Sequence, residues 1–137
     1  MRTHRTSAEA RLQVVASLGL PPDTRSAARA RRFVGDFCAS ARLPTGVGET
    51  APLLASELVT NAVLHGRTRA VIEATLSAGV LRVAVRDEGR GRPAMDAYPG
   101  LAAEGGRGLL IVSKLSTRWG VEPDADGGKA VWFELDV

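Results

Sequence analysis

Three groups of residues in this sequence have the types and spacing that chemistry needs. Glu57 and Asn61 stand four apart in the stretch Ala55-Ser56-Glu57-Leu58-Val59-Thr60-Asn61-Ala62-Val63-Leu64-His65-Gly66. On a helix that spacing stacks a carboxylate and an amide on one face, one turn apart. At about 100° per residue, Leu54, Glu57, Leu58, Asn61, Leu64 and His65 share one sector, and Ala55, Val59 and Val63 lie opposite. Such a helix is apolar nearly all round and reads as buried. A buried carboxylate must be paired or must bind something. An ordinary polar pair at the helix rim fits the same spacing.

The second group is Asp87-Glu88-Gly89-Arg90-Gly91, directly after an apolar strand pattern. Asp87 can accept hydrogen bonds from a ligand amino group, and Gly89 and Gly91 permit close backbone approach. Taken alone, the same residues read as a turn. The third group, Gly105-Gly106-Arg107-Gly108-Leu109-Leu110, opens a short helix. Unpaired N–H groups at a helix start make an anion site suited to phosphates, although a glycine cluster also serves as a hinge. It is not a Walker P-loop, because Gly-Lys-Ser/Thr is absent. A loop and not a strand precedes it, which excludes the dinucleotide-binding fingerprint.

The elements that must position these groups follow from hydrophobic period and breakers. Residues 1–10 read as a flexible basic tail and 11–137 as one folded domain. Residues 11–18 read as a strand, and Pro21-Pro22-Asp23-Thr24 as a turn ending in capping types. From Arg25 to Arg42, Ala30, Phe33, Val34, Phe37, Cys38 and Ala41 recur at helical spacing, with Arg25, Arg29, Arg32 and Asp36 on the solvated side. The second helix is expected from near Thr50 to His65, with Pro52 in its first turn and Gly66 as a left-handed cap. Residues 69–76 and 80–86 alternate around a Ser77-Ala78-Gly79 turn and form a hairpin. Residues 88–106 carry no period and read as a long loop. A short helix at 107–115, a strand at 118–121 and a final strand at 130–137 complete the order β-α-α-β-β-loop-α-β-β. That order predicts an α+β, two-layer sandwich with a mixed, mostly antiparallel sheet and the helices on one face.

Composition bounds the function. The chain has 137 residues, 45% apolar and 24% charged, as for a single globular domain. With aromatics at only 4%, the core must come from Leu, Val, Ile and Ala. A lone Cys38 excludes an internal disulfide framework and a cysteine metal cluster. No apolar run reaches the ~20 residues of a membrane helix, and the N-terminus lacks a signal-peptide core, so a cytoplasmic protein is expected. The net charge of +3 is uneven: residues 1–42 carry eight Arg against Glu9, Asp23 and Asp36. No aromatics interleave with those cations, which argues against nucleic acid, and an acidic protein partner fits the patch as well.

Taken in order, the Glu57-x-x-x-Asn61 helix, the hairpin ending at Asp87-x-Gly-x-Gly, the loop and the Gly-x-Gly-Leu helix start resemble the GHKL (Bergerat-fold) ATPase superfamily, which includes gyrase and the histidine kinases. The resemblance spans residues 11–137. Within it, Ala55 to Gly66 and Ala27-Ala28-Arg29-Ala30-Arg31-Arg32-Phe33-Val34 are similar to the bacterial anti-sigma-factor serine/threonine kinases, whose length also agrees. The resemblance implies ATP and Mg²⁺ as cofactors. It implies that Asn61 coordinates Mg²⁺, that Asp87 accepts the adenine amine, and that Gly89 and Gly91 let the backbone pass the base. It further implies that Gly106, Gly108 and Leu109 present helix N–H groups to the phosphates with Arg107 near the β/γ end, and that Glu57 orients or deprotonates an attacking serine hydroxyl. The implied activity is a regulatory protein kinase that phosphorylates a small antagonist protein or binds a sigma factor, and works as a homodimer. A non-catalytic ATP-binding module in a partner-switching circuit is the alternative. As a lid in that family's pattern, the stretch between the two glycine groups is short, which implies a poorly covered nucleotide, and the basic tail has no family counterpart.

Other residues take plainer roles. Lys129, after Gly127-Gly128, reads as a solvated hairpin lysine with the phosphates as the alternative. Trp119 and Trp132 read as sheet packing, Cys38 as core, and His65 as a helix-end residue favoured by the dipole.

Overall fold

Period-two alternation makes strands of five segments, and apolar stripes at helical spacing place three helices over them. The computed structural model describes residues 13–65, 67–87, 104–123 and 127–137. Strand β1 (Val14–Leu20) leads into helix α1 (Ser26–Ser40) and helix α2 (Thr45–Thr60). One π-helical turn (Asn61–His65) closes α2. The hairpin of β2 (Ala70–Ser77) and β3 (Val80–Asp87) follows, then helix α3 (Glu104–Leu115) and strands β4 (Arg118–Pro123) and β5 (Lys129–Asp136). The strands form a single sheet in the order β1-β2-β3-β5-β4, and all four pairings are antiparallel. The expected α+β architecture is the one observed, with the described sheet wholly antiparallel and not mixed.

One face of the sheet and the three helices share the core. Leu20, Ile72, Leu81, Val83, Val85 and Phe133 meet Val34, Leu54, Leu58 and Val112 there, all essentially inaccessible to solvent. Cys38 belongs to this core, and burial pushes its thiol up from the ordinary cysteine range. The opposite face is polar. Arg82 stacks over the Trp132 ring, 4.3 Å from its centroid, and Arg82 and Arg118 pair with Glu134 at 3.2 and 2.6 Å. In the β2–β3 turn, Ala78 and Gly79 both take positive φ, 52° and 78°, the combination that matches a two-residue turn to the twist of its strands.

The boundaries depart most from the sequence expectation at three elements. Helix α2 begins at Thr45, not near Thr50, so Pro52 lies well inside it. Gly46 and Gly48 are weak helix formers and hide the start, while Pro44 supplies the fixed φ at the cap. Pro52 cannot donate to the Gly48 carbonyl. Its buried ring instead occupies the space beside Gly35 of α1, where a side chain would meet it at 3.9 Å. Helix α3 begins at Glu104, three residues before the expected Arg107, so its glycines sit within its first two turns. Strand β1 continues to Leu20, because Gly19 and Leu20 pair with Val71 and Ala70. The expected tail at residues 1–10, together with Gly66, Gly89 and Gly91, lies outside the described residues.

Candidate nucleotide-binding site

Helix α2 delivers Glu57 and Asn61. The Asn61 N–H still bonds the Glu57 and Leu58 carbonyls, so the pair stands one helical turn apart, as the spacing predicts. The Thr60 hydroxyl donates to the Ser56 carbonyl at 2.8 Å, and immediately beyond it the helix widens into its π turn. Isolated π turns concentrate at functional sites. Asn61 is 3% exposed, and its Nδ2 has no hydrogen-bond partner among the described residues. Burying an amide donor unpaired costs on the order of 1–3 kcal/mol, a cost that a ligand oxygen accepting from the amide would offset.

Helix α3 closes on this pair through Gly108. A Cβ at Gly108 would lie 2.7 Å from Glu57 Oε1, 3.4 Å from Glu57 Cβ and 3.7 Å from Asn61 Nδ2. Three sequence-predicted residues, Glu57, Asn61 and Gly108, are therefore in one place. Gly106 and Arg107 occupy the opening turns of α3, where amides lack partners within the helix. Leu109 is a core residue.

Asp87 occupies the end of β3, facing the helix layer, and is 5% exposed. The π turn after α2 packs against this strand. Antiparallel pairing of β3 with β5 ends at Arg86 and Ala130, so Asp87 meets Lys129 one step further on. The Lys129 ammonium pairs with Asp87 Oδ2, and the Lys129 backbone N–H donates to Oδ1 at 3.3 Å. Lys129 is 5% exposed, which corrects its reading as a solvated hairpin lysine. Its burial follows from strand register, which places the lysine beside a buried carboxylate that compensates it. Gly128 is equally constrained: a Cβ there would strike the Asp87 carbonyl oxygen and come within 3.2 Å of Oδ1. Lys129 and Gly128 are the site residues that sequence reasoning missed. The available signal was Gly127-Gly128-Lys129 standing directly before an alternating strand.

On its other side Glu57 borders a groove of about 580 Å³ between α1 and α2, lined by Thr24, Arg31, Arg32, Ser56 and Thr60 besides Glu57 itself. Arg31 reaches across it to donate to the Ser56 hydroxyl at 3.1 Å.

A histidine kinase-like ATPase domain model matches residues 20–135. The chain belongs to that family. Among solved structures, it matches the RsbU and RsbW domains of Rv1364c from Mycobacterium tuberculosis with a TM-score of 0.68 and 19% identity, over 90% of this chain and 32% of that one. It also matches the histidine kinase domain of a blue-light activated histidine kinase from Erythrobacter litoralis, with a TM-score of 0.53 and 26% identity, over 69% of this chain and 46% of that one. The chain thus spans about a third and about half of these two chains. No curated protein matches the sequence.

ATPase domains of this family bind ATP, usually with Mg²⁺. The residues of this domain fit both. The buried Asn61 Nδ2 donor calls for an acceptor such as a phosphate oxygen, and Gly108 brings no side chain to the place where a Cβ would press on Glu57. An amide oxygen suits Mg²⁺, a hard cation that takes oxygen ligands. Among the described residues no helix is long and apolar enough to cross a membrane.

Proposed function

We propose that this ATPase domain is a regulatory serine/threonine protein kinase of the anti-sigma-factor type, which transfers the γ-phosphoryl group of ATP to a serine of a small antagonist protein. The observation that carries the reading is the position of Glu57. One side of it touches Gly108 and neighbours Asn61; the other side lines the α1–α2 groove. A carboxylate on that boundary can meet a hydroxyl arriving through the groove while the triphosphate lies beyond it. The likeness of Ala55 to Gly66 to the anti-sigma-factor kinases supports the assignment, as does the structural match to a chain carrying an RsbW domain.

The roles are as follows. Asp87 accepts the exocyclic amine of adenine; the family likeness gives Gly89 and Gly91 the role of letting the backbone pass the base. The opening turns of α3, with Gly106 and Arg107, face the phosphates, and Leu109 anchors that helix in the core. Asn61 holds Mg²⁺, which supplies positive charge to the triphosphate oxygens when bound. Glu57 orients the serine hydroxyl and takes its proton as the serine oxygen bonds to the γ-phosphorus and the bond to ADP breaks. Arg31 and Arg32 give the groove a positive wall suited to an acidic partner segment.

The test is phosphotransfer from labelled ATP to candidate antagonist proteins, with wild type and Glu57→Gln side by side. That substitution keeps size and removes basicity. ATP affinity should stay within a few fold while transfer falls ~10²–10⁴-fold, the usual range for loss of a general base. A wild-type protein that binds an antagonist only with ATP and transfers nothing would be a non-catalytic, ATP-gated interaction module instead.

A further inference from the structure

The groove between α1 and α2 carries both signs of charge on separate walls. Arg31 and Arg32 come from α1, Glu57 comes from α2, and the rest of the lining is uncharged. Other arginines of the fold are paired with carboxylates: Arg25 with Asp23, Arg82 with Glu134, and Arg118 with Glu134 and Asp136. Among the described residues Arg31 and Arg32 have no such partner, and neither is paired with Glu57 although all three line one groove. Arg31 is nonetheless held in place. It donates to the Ser56 hydroxyl at 3.1 Å, and that hydroxyl donates to the Leu53 carbonyl at 2.7 Å. A guanidinium has five N–H donors in a planar fork, and this fork matches a carboxylate through two parallel bonds.

Ser56 and Glu57 are consecutive on α2, so the guanidinium at Ser56 stands on the order of 10 Å from the Glu57 carboxylate. An extended segment advances about 3.3 Å per residue, so that gap corresponds to about two or three residues. From this geometry we infer that the groove selects acceptor segments bearing a carboxylate side chain two or three residues from the serine, held by Arg31 and Arg32 while Glu57 meets the serine hydroxyl. The inference rests on the kinase reading proposed above and gives it a sequence preference. The two arginines are specificity-determining residues for the protein substrate, and they stand on the opposite wall of the groove from Glu57.

Serine peptides with Glu, Ala or Lys placed in turn at each of four positions on either side of the serine, offered with labelled ATP, read the preference directly. At two or three residues from the serine, wild type should phosphorylate the Glu peptides about tenfold faster than the Lys peptides, the combined scale of one exposed pair gained and one opposed. The double variant Arg31→Glu, Arg32→Glu should reverse that order. Arg42→Glu makes the same kind of charge change just beyond the far end of α1 and should keep the wild-type order, which separates the groove from overall charge. Arginines with a purely structural role would lower all peptides alike, so charge-blind rates in wild type, or a Glu preference that survives the double reversal, overturn the inference. Should the double variant fail to bind ATP, Arg32→Glu alone takes its place and should cut the preference at least about threefold. If wild type phosphorylates no peptide, the fluorescence anisotropy of the same peptides, labelled with fluorescein, decides. Tighter binding of the Glu peptides that is lost in the arginine variants keeps the acid-reading groove while the kinase reading falls. Charge-blind binding, or none, overturns the inference as well.

Discussion

Gly108 of α3 lies so close to Glu57 of α2 that a methyl group on it would come 2.7 Å from the carboxylate Oε1. The atom in the way is the far end of a flexible side chain, while the nearest fixed atom, Glu57 Cβ, is at a tight 3.4 Å. Gly108→Ala should therefore be absorbed by turning the carboxylate aside and not by moving the helices. Alanine also gains about 0.8–1.0 kcal/mol of helix propensity over glycine. Stability by urea unfolding is expected to stay within about 1 kcal/mol of wild type. On the proposed kinase function, phosphotransfer should fall at least about tenfold, because a general base displaced from its hydroxyl loses most of its effect. A variant with wild-type transfer would show that Glu57 is not held for catalysis by this contact.

The outer face of the sheet makes a prediction about acid. Arg118 donates to Glu134 Oε1 at 2.6 Å and Arg82 to Oε2 at 3.2 Å. The Arg118 guanidinium holds the Glu134 carboxyl below the usual glutamate range, with partial burial opposing. The group thus releases its proton more readily folded than unfolded. Its contribution is present above the unfolded value of about 4.3 and is lost as pH falls through the lower, folded value. Glu134→Gln should lower stability by up to about 1 kcal/mol at neutral pH, the scale of an exposed pair. The gap to wild type should close below about pH 4. Urea midpoints across pH check this, and a gap that stays constant into acid would mean that the arginine pairs contribute nothing through Glu134.

The parts legible in the sequence were those decided by local pattern. The α1 stripe through Ala30, Val34, Phe37 and Cys38 is buried as its spacing requires, and the alternation of Leu81, Val83 and Val85 sets one face of β3 in the core. The Glu57 and Asn61 pair survives because a four-residue step on a helix needs no further information. The start of α2 was not legible, because Gly46, Gly48 and Pro52 each argue locally against a helix that packing against α1 enforces. Lys129 was not legible for a longer-range reason. Whether a lysine after two glycines is solvated or buried depends on which residue the neighbouring strand places opposite, and β3 lies more than forty residues earlier in the chain. The contact between Gly108 and Glu57 is of the same kind, with the glycine pattern visible but its partner not.

Asn61 gives the sharpest separation of folding from function. Its amide is buried with Nδ2 unsatisfied, at the step where α2 passes into its π turn. In a residue retained for stability that donor would be paired, since leaving it unpaired costs on the order of 1–3 kcal/mol. Asn61→Ala removes the unpaired donor and leaves a small void, two effects of opposite sign and similar size. Stability without nucleotide should therefore change by no more than about 1 kcal/mol. Nucleotide binding should change in kind. Wild type should bind ATP more tightly with Mg²⁺ than with EDTA, and the variant should bind it nearly equally in both, because the oxygen ligand proposed to tie the metal to the protein is gone. Adenosine, which carries no phosphate for the metal to bridge, should bind both proteins alike through the Asp87 end of the site. Calorimetry with ATP and adenosine, each with Mg²⁺ and with EDTA, covers the four conditions. A Mg²⁺ dependence undiminished in Asn61→Ala would assign the metal to another ligand, and a large loss of stability would assign Asn61 to the fold.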